Sequence, residues 1–509
     1  MQQKALSYKY EAEQSTSSEM TGFGGLPTYL DLIHVSGLRS SIEKHLGVKR
    51  HGQGWTDSQV IIALILLNLS GGEHVEDLRI LESDRGFCRL VREVEHAGLP
   101  RKARRLLAHR FRKKRQQTFP SPSSVFRYLS AFHASDQEGL RKHGKAFIPA
   151  SNRHLAGLSR INRDLLSFLQ GNQPAKTATL DMDATLIETT KQAAQYCYKG
   201  FSSYQPLNTW WAEQEVIVHT EFRDGNVPAG YEQLRVFQEA LSCLPSGIEN
   251  VRLRSDTAGY QHNLLRYCEQ GQDKRFGRIE FAIGCDVTQA FKEAVLEVTE
   301  EDWHPLYKDV QGKRIKTRTE WAEVCFVPSK MGFSKNSPVY RYLAKRTPLQ
   351  EQKSLPGLKI SEPMLPFQTL LMKKRRYKVF GIVTNMDWEG NRLITWHHGR
   401  CGKSEQAHAI MKDDLAGGVL PSHAFGVNAA WWWIMVFAFN LNSLMKRLVL
   451  PGEWKSKRLK AIRFYLINLP GRVMTRSRQL YVRLSHHHPC FDLLCGMRER
   501  IIMLNPSPG

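Results

Sequence analysis

The stretch TATLDMDAT, residues 177–185, alternates strictly: Thr177, Thr179, Asp181 and Asp183 are polar, while Ala178, Leu180 and Met182 are apolar. Period two is the mark of a strand with one buried face. Upstream, from about Leu30 to Phe132, apolar residues recur at helical spacing instead, as in SQVIIALILLNLS (58–70) and VFRYLSAFH (125–133). Residue 177 is therefore where a helical chain turns into sheet, and the strand it opens ends on acids.

More sheet follows. EQEVIVHTEF (213–222) reads as a strand and RDGNV (223–227) as its turn. VRLRSD (251–256), the helical QHNLLRYCEQ (261–270) closed by Gly271, and RIEFAIG (278–284) together read as a β–α–β unit. From about Asp286 to Trp396 the chain is basic and strand-like, as in VYRYLAKR (339–346) and YKVFGIVTN (377–385), with Pro-, Gly- and Lys-rich connectors. From Ser404 onward it reads as helical and ends in a basic third. Neither an internal repeat nor a low-complexity tract is present.

The 509 residues carry 72 Lys+Arg against 49 Asp+Glu, a formal net charge of +23. Such an excess favours association with polyanions. The densest run, Arg101 to Gln116, holds Arg101, Lys102, Arg104, Arg105, Arg110, Arg112, Lys113, Lys114 and Arg115 without one acid. That pattern suits phosphate contacts better than a self-compensating helix face. The nine cysteines form no CxxC pair, which disfavours a zinc ribbon and suggests a reducing compartment. The N-terminus is polar, and the most apolar run, Ala429 to Phe439, is too short to span a bilayer. The expectation is a cytoplasmic protein with no membrane association and no small-molecule cofactor.

Three acids stand out on this basic chain: Asp183 and Asp256 at strand ends, and Glu405 in the first turn of a helix with Ser404 as a plausible N-cap. Three carboxylates are enough to hold Mg²⁺, with Mn²⁺ as a substitute, for phosphodiester chemistry. Asp181 shares the strand face of Asp183 and is the alternative first ligand. Arg254 shares a face with Asp256; Arg400, His408 and Lys412 flank Glu405 and are candidate phosphate or DNA contacts. His486, His487 and His488 are adjacent in sequence and cannot all face one ion.

The ordered set resembles the Asp-Asp-Glu (DDE) transposases of bacterial insertion sequences. LDMDAT is similar to the strand of the first acid, FRDGN (222–226) to the "LRxGN" turn, and RSDTAGY (254–260) to the second-acid segment "RxDxGF". Arg400, Glu405 and Lys412 resemble the Tyr-Arg-Glu-Lys signature of the third acid, with His397 in the Tyr position and one extra residue between Arg and Glu. FGVNAAWWWIMVFAFNLNSLMKRL (425–448) resembles the helix that follows it.

The resemblance implies an α/β fold: an RNase H-like core, a mixed five-stranded sheet with flanking helices, interrupted by a β-rich insertion and preceded by an all-α domain. The implied layout is a flexible 1–25, a helical DNA-binding 26–170, core segments 171–290 and 391–450, an insertion over 291–390 that fits the 149-residue interval between Asp256 and Glu405, and a basic helical 451–509. It implies two metal ions on Asp183, Asp256 and Glu405, cleavage at the terminal inverted repeats, joining of the 3′-OH to target, double-stranded DNA as partner and a homodimer in the DNA complex. Trp210, Trp211 and Tyr260 are candidates to stack on a displaced base, against a core role. Two other readings stay open. DMDAT also matches DxDxT, the nucleophile motif of haloacid dehalogenase-type phosphatases, with Lys412–Asp414 as a distal Lys and acid pair. A non-catalytic DNA-binding protein derived from a transposase is the second.

Overall fold

The computed structural model describes residues 19–48, 54–96, 100–110, 117–141, 144–310, 312–328, 338–349, 367–373, 375–400, 402–477 and 479–505. Up to Asn172 the described residues are mainly helical. Helix α1 (Pro27–Val35) packs against the C-terminal helix Phe491–Met503, and α2 (Asp57–Ser70) opens on a capping box: Gln59 N–H donates to Thr56 Oγ1 (3.2 Å) and Thr56 N–H to Gln59 Oε1 (3.0 Å). α2 is apolar nearly all round and is buried accordingly. The long α3 (Arg153–Asn172), capped by the Asn152 side chain, leads into the sheet.

Of the first 25 residues, expected to be flexible, 19–25 are tied down. Glu19–Thr21 forms a short strand against Gly471–Arg476, and Gly24 N–H donates to Leu469 C=O (2.7 Å). Residues 1–18 lie outside the described residues.

Among the described residues ten strands form the central sheet: β1 (Thr177–Ala184), β2 (Leu207–Trp211), β3 (Val216–Glu221), β4 (Asn250–Ser255), β5 (Glu280–Cys285), β6 (His304–Val310), β7 (Lys313–Glu323), β8 (Arg341–Pro348), β9 (Thr369–Met372) and β10 (Arg375–Thr384). The order is β6-β7-β8-β10-β5-β4-β1-β2-β3, with β9 hydrogen-bonded to β10. β1 pairs antiparallel with β2 and β2 with β3, whereas β1, β4 and β5 run parallel. The expected β–α–β unit is present, with helix α4 (His262–Glu269) between β4 and β5 and Gly271 in the left-handed region (φ 63°). The strand-rich 286–396 segment adds its strands to the β5 edge of the same sheet through β10.

After the sheet come helices α5 (Gly390–His398), α6 (Lys403–Ala409) and α7 (Phe425–Leu444). α5 begins where strand was expected. Its N-cap is Glu389, whose carboxylate accepts from Asn391 N–H (2.8 Å) and Arg392 N–H (2.9 Å). All 20 residues of α7 are buried, and one core joins it to α2, α3 and the inner face of the sheet. Asn440 fastens it: its side chain accepts from Ile217 N–H (2.8 Å) and donates to Ile217 C=O (2.9 Å) and Asn162 Oδ1 (2.8 Å). Trp210 and Trp211 belong to this core, and Tyr260 is half-buried with its hydroxyl 3.1 Å from that of Tyr342, so none presents a free face to a base. Among the described residues no single helix is long and apolar enough to cross a membrane.

Candidate active site

The strand register decides what each acid does. β1 and β4 pair in parallel with Asp181 opposite Arg254 and Met182 opposite Ser255. One residue further along both strands, Asp183 stands beside Asp256 at their C-terminal ends. Below that edge, Arg254 grips Asp181 with two parallel bonds, Nε to Oδ1 at 2.6 Å and Nη2 to Oδ2 at 2.7 Å. Asp181 is fully buried. Arg254 is 4 % exposed, donates its remaining nitrogen to Trp396 C=O (2.6 Å) and lies over the Trp396 ring. The geometry therefore separates the two acids left open by the sequence: Asp181 is a buried ion-pair partner, and Asp183 faces the edge. Arg254, expected as a phosphate contact, is occupied.

Asp183 has neighbours of opposite effect. Ser404 Oγ–H donates to Oδ2 (3.2 Å), and Arg400 Nη1 and His408 Nδ1 each lie 3.8 Å from the same oxygen. Burial pushes its carboxyl up to about 6; Arg400 pulls it down, Asp256 pushes it up, the Ser404 bond lowers it and Glu405 raises it. Asp183 thus feels the charge of both other acids and remains under-neutralised despite Arg400. Asp256 caps the short turn Thr257–Gly259 by accepting from Ala258 N–H (3.0 Å), while Glu405 projects, exposed, from the first turn of α6.

The N-cap of α6 is Gly402 (φ 86°), so Ser404 is the second residue of the helix and spends its hydroxyl on Asp183 and Arg400 C=O (3.3 Å). α6 then widens into a π-helical turn, Ile410–Asp414, which carries Lys412, half-buried, out of simple i/i+7 phase with Glu405. His408 is buried and held below its usual range, at about 4, first by burial and then by Lys412 and Arg400. A neutral imidazole suits its setting. Its Nε2 accepts from Asn208 Nδ2 (3.1 Å); Asn208 Oδ1 accepts from Thr220 Oγ1 (2.6 Å), and Thr220 accepts from Trp432 Nε1 (2.9 Å). This chain assigns the proton to Nδ1 and turns N–H toward Asp183. His397 is buried and pushed down to about 3 by burial; its Nε2–H donates to Ser255 C=O (3.1 Å) and braces the peptide before Asp256.

As a donor set, three carboxylates without a thiolate suit a hard divalent cation, and mutual repulsion at Asp183 is what such a cation would relieve. Among the described residues no group of three or more His, Cys, Asp or Glu side chains is gathered closely enough to hold a metal ion.

The chain matches the protein family described as Transposase DDE domain group 1 over residues 15–326 and 368–506. It belongs to this transposase family. Members of the family generally use divalent metal ions. No curated protein sequence matches the chain significantly. Among solved structures, the piggyBac transposase synaptic complex with hairpin DNA is similar at a TM-score of 0.40 and 10 % identity, covering 89 % of this chain and 83 % of that one.

In this transposase the phosphatase alternative has no nucleophile, because the first acid of DxDxT is the locked Asp181. Its distal acid is also taken: Asp414 is buried and accepts from Arg458 Nε (3.0 Å). The FRDGN turn is a packing device. Asp224 is held by Arg141 (2.7 and 2.8 Å), and a Cβ on Gly225 would sit 2.3 Å from Ser203 Oγ and 2.7 Å from Gln195 C=O. Of the basic run, Arg101, Lys102, Arg104 and Arg105 lie on the helix Arg101–Arg110 and reach solvent; Arg112, Lys113, Lys114 and Arg115 lie outside the described residues, as does the side chain of Arg110. Sequence reading missed Ser404 as an Asp183 partner and Asn208, although Asn208 is the cross-strand neighbour of Asp183. Only the pairing reveals that signal.

Proposed function

We propose that this protein is the transposase of a bacterial insertion sequence, binding the terminal inverted repeats as a homodimer, cutting DNA at the element ends and joining the freed 3′-OH to target DNA. The observation that carries this reading is the meeting of Asp183 and Asp256 on adjacent parallel strand ends with the Glu405 helix bonded to Asp183 through Ser404. The order β3-β2-β1-β4-β5, with its antiparallel and parallel pairings, supports an RNase H-like core. Asp183, Asp256 and Glu405 would hold Mg²⁺ or Mn²⁺, which supplies a lowered pKa for the attacking hydroxyl and charge neutralisation at the leaving oxygen. Asp183 on its strand fixes one position rigidly, and Glu405 reaches in from the exposed first turn of α6. Arg400 sits close enough to Asp183 to share its charge in the free protein and to turn to a phosphate when DNA arrives. Buried His408, kept neutral, orients Asp183 without adding a competing cation.

The test is cleavage of a duplex bearing the element's ends. Nicking is expected with Mg²⁺, lost with chelator, and lost in Asp183→Asn, Asp256→Asn and Glu405→Gln proteins that keep the wild-type melting behaviour or exceed it. Metal-independent cleavage, or full activity in Glu405→Gln, would refute the assignment. Binding without cleavage would favour the non-catalytic reading.

A further inference from the structure

The far part of the sheet carries a basic cleft outside the run singled out above. Lys316 and Arg318 on β7, Arg375 at the start of β10 and Lys373 in the turn before it line an open cleft of about 840 Å³. Acids are present too, but they are spoken for. Buried Arg346 binds Glu300 (2.6 Å) and Glu320 (2.8 Å) and lies over the rings of Trp303 (4.1 Å) and Tyr377 (5.0 Å). Lys316, Arg318 and Arg375 are exposed and make no ion pair with the described residues.

Strand polarity relates this cleft to the carboxylates. β10 runs antiparallel to β5, β8 antiparallel to β10 and β7 antiparallel to β8, while β5 runs parallel to β4 and β1. The N-terminal ends of β7 and β10 therefore lie on the same edge of the sheet as the C-terminal ends of β1 and β4. From β7 to β1 is five strand steps, roughly 24 Å at about 4.8 Å each, and the registers set Lys316 and Arg375 seven residues, roughly 23 Å at about 3.3 Å each, beyond the row that holds Asp183. The diagonal from Lys316, roughly 33 Å, corresponds to about ten base pairs at roughly 3.4 Å per step. Beyond the cleft, β6 and β7 continue as a two-stranded ribbon whose β7 face adds exposed Arg314, its guanidinium over Tyr307 (4.4 Å).

We infer that Lys316, Arg318 and Arg375 form a phosphate track for double-stranded DNA that also lies on the Asp183–Asp256 edge, gripping the backbone without reading sequence. The inference rests on the transposase reading and extends it to a second contact region. Uncompensated cations beside already neutralised acids are what backbone binding requires, and their spacing from the carboxylates suits a duplex better than a small anion.

The test uses full-length protein and a 30-base-pair fluorescent duplex, with affinity measured by anisotropy over a salt series. Each phosphate contact contributes a slope of about 0.9 in log affinity against log salt. The Lys316→Ala/Arg318→Ala/Arg375→Ala protein is expected to lose about 2.7 from that slope. Lys199→Ala/Lys274→Ala/Lys457→Ala, which removes the same charge from exposed positions elsewhere, is expected to lose less than one. Lys316→Arg/Arg318→Lys/Arg375→Lys should retain the wild-type slope, and matched melting curves would verify that all variants fold. An unchanged slope in the first variant, equal losses in both alanine variants, or an equal loss with single-stranded RNA as probe overturns the track. Wild-type protein that binds no DNA at all would overturn the transposase reading itself.

Discussion

Replacing Asp183 by Asn should make the metal-free protein more stable and inactive. Its carboxyl is raised from 3.8 to about 6, so the folded state disfavours the ion it needs for catalysis. The sign follows from linkage: an acid whose proton is held more tightly in the folded than in the unfolded chain costs stability wherever it is ionised. The cost is absent below pH 3.8, grows between 3.8 and about 6, and is constant above. At 1.36 kcal/mol per tenfold change in proton affinity, it amounts to about 3 kcal/mol at pH 8. Asn keeps an oxygen for Ser404 Oγ and removes the charge that Asp256 and Glu405 repel. For a chain of 509 residues, with an unfolding entropy of about 2.1 cal/mol/K per residue, that gain moves the melting temperature up by about 3 °C. The assay is thermal unfolding of both proteins at pH 8 and pH 4, with and without 10 mM (about 10⁻² M) Mg²⁺, any cation that binds only the folded state adding stability by mass action. The gain should be present at pH 8, vanish near pH 4, and shrink at pH 8 in Mg²⁺ because only the wild type recruits the ion. No gain at pH 8, or an equal gain at both pH values, would refute the electrostatic account of this site.

Three further outcomes follow from neighbouring residues. Asp181→Asn leaves Arg254 buried without its counter-charge and should destabilise the fold by about 3–5 kcal/mol, read as a lower melting temperature, the opposite of Asp183→Asn on the same strand. Gly225→Ala forces a Cβ against Ser203 and the Gln195 carbonyl and should cost about 1–3 kcal/mol, measured by chemical denaturation, with the ends of the FRDGN hairpin exchanging amide protons faster. Metal-dependent DNA cleavage should rise with pH through about 6 as Asp183 ionises; Ser404→Ala, which removes a bond favouring the carboxylate, should move that rise to higher pH without changing the plateau's metal requirement.

Much of this was legible in the sequence because it depended on local period. The alternation in TATLDMD, the β–α–β pattern of 251–284 and the uninterrupted apolar stretch around Trp431–Trp433 each specify an element from neighbours alone. What depended on partners was not legible. The segment Gly390–His398 reads as a continuation of strand until its cap is seen, since Trp388 and Trp396 suit either structure and only the Glu389 carboxylate on two backbone N–H groups starts the helix. Ser404 has the sequence position of a cap, yet Gly402 takes that role because its backbone enters the left-handed region. The insertion's strands could have formed a separate domain; that they extend the core sheet follows from the β10–β5 pairing, which joins residues about a hundred positions apart. His408 and Asn208 are 200 residues apart and meet through tertiary packing alone.

The contrast between Asp181 and Asp183 shows how much rests on that packing. Both are aspartates on one face of one strand, a single pleat apart, and nothing local distinguishes them. Their neighbours have the same two-residue spacing, Arg254 on β4 and Asp256 just past its end. In the observed parallel register Asp181 meets Arg254, so one pair is charge-balanced and sinks into the core. The next position brings acid beside acid, which the chain alone leaves unbalanced at the edge. A slip of one residue would turn the β4 side chains to the other face. A slip of two would set Arg254 against Asp183 and neutralise it, leaving no acid pair for a cation to join. The acidic edge is thus a property of register: the buried Asp181–Arg254 bond both fixes the alignment of the two strands and, by consuming the arginine, keeps Asp183 free to bind something else.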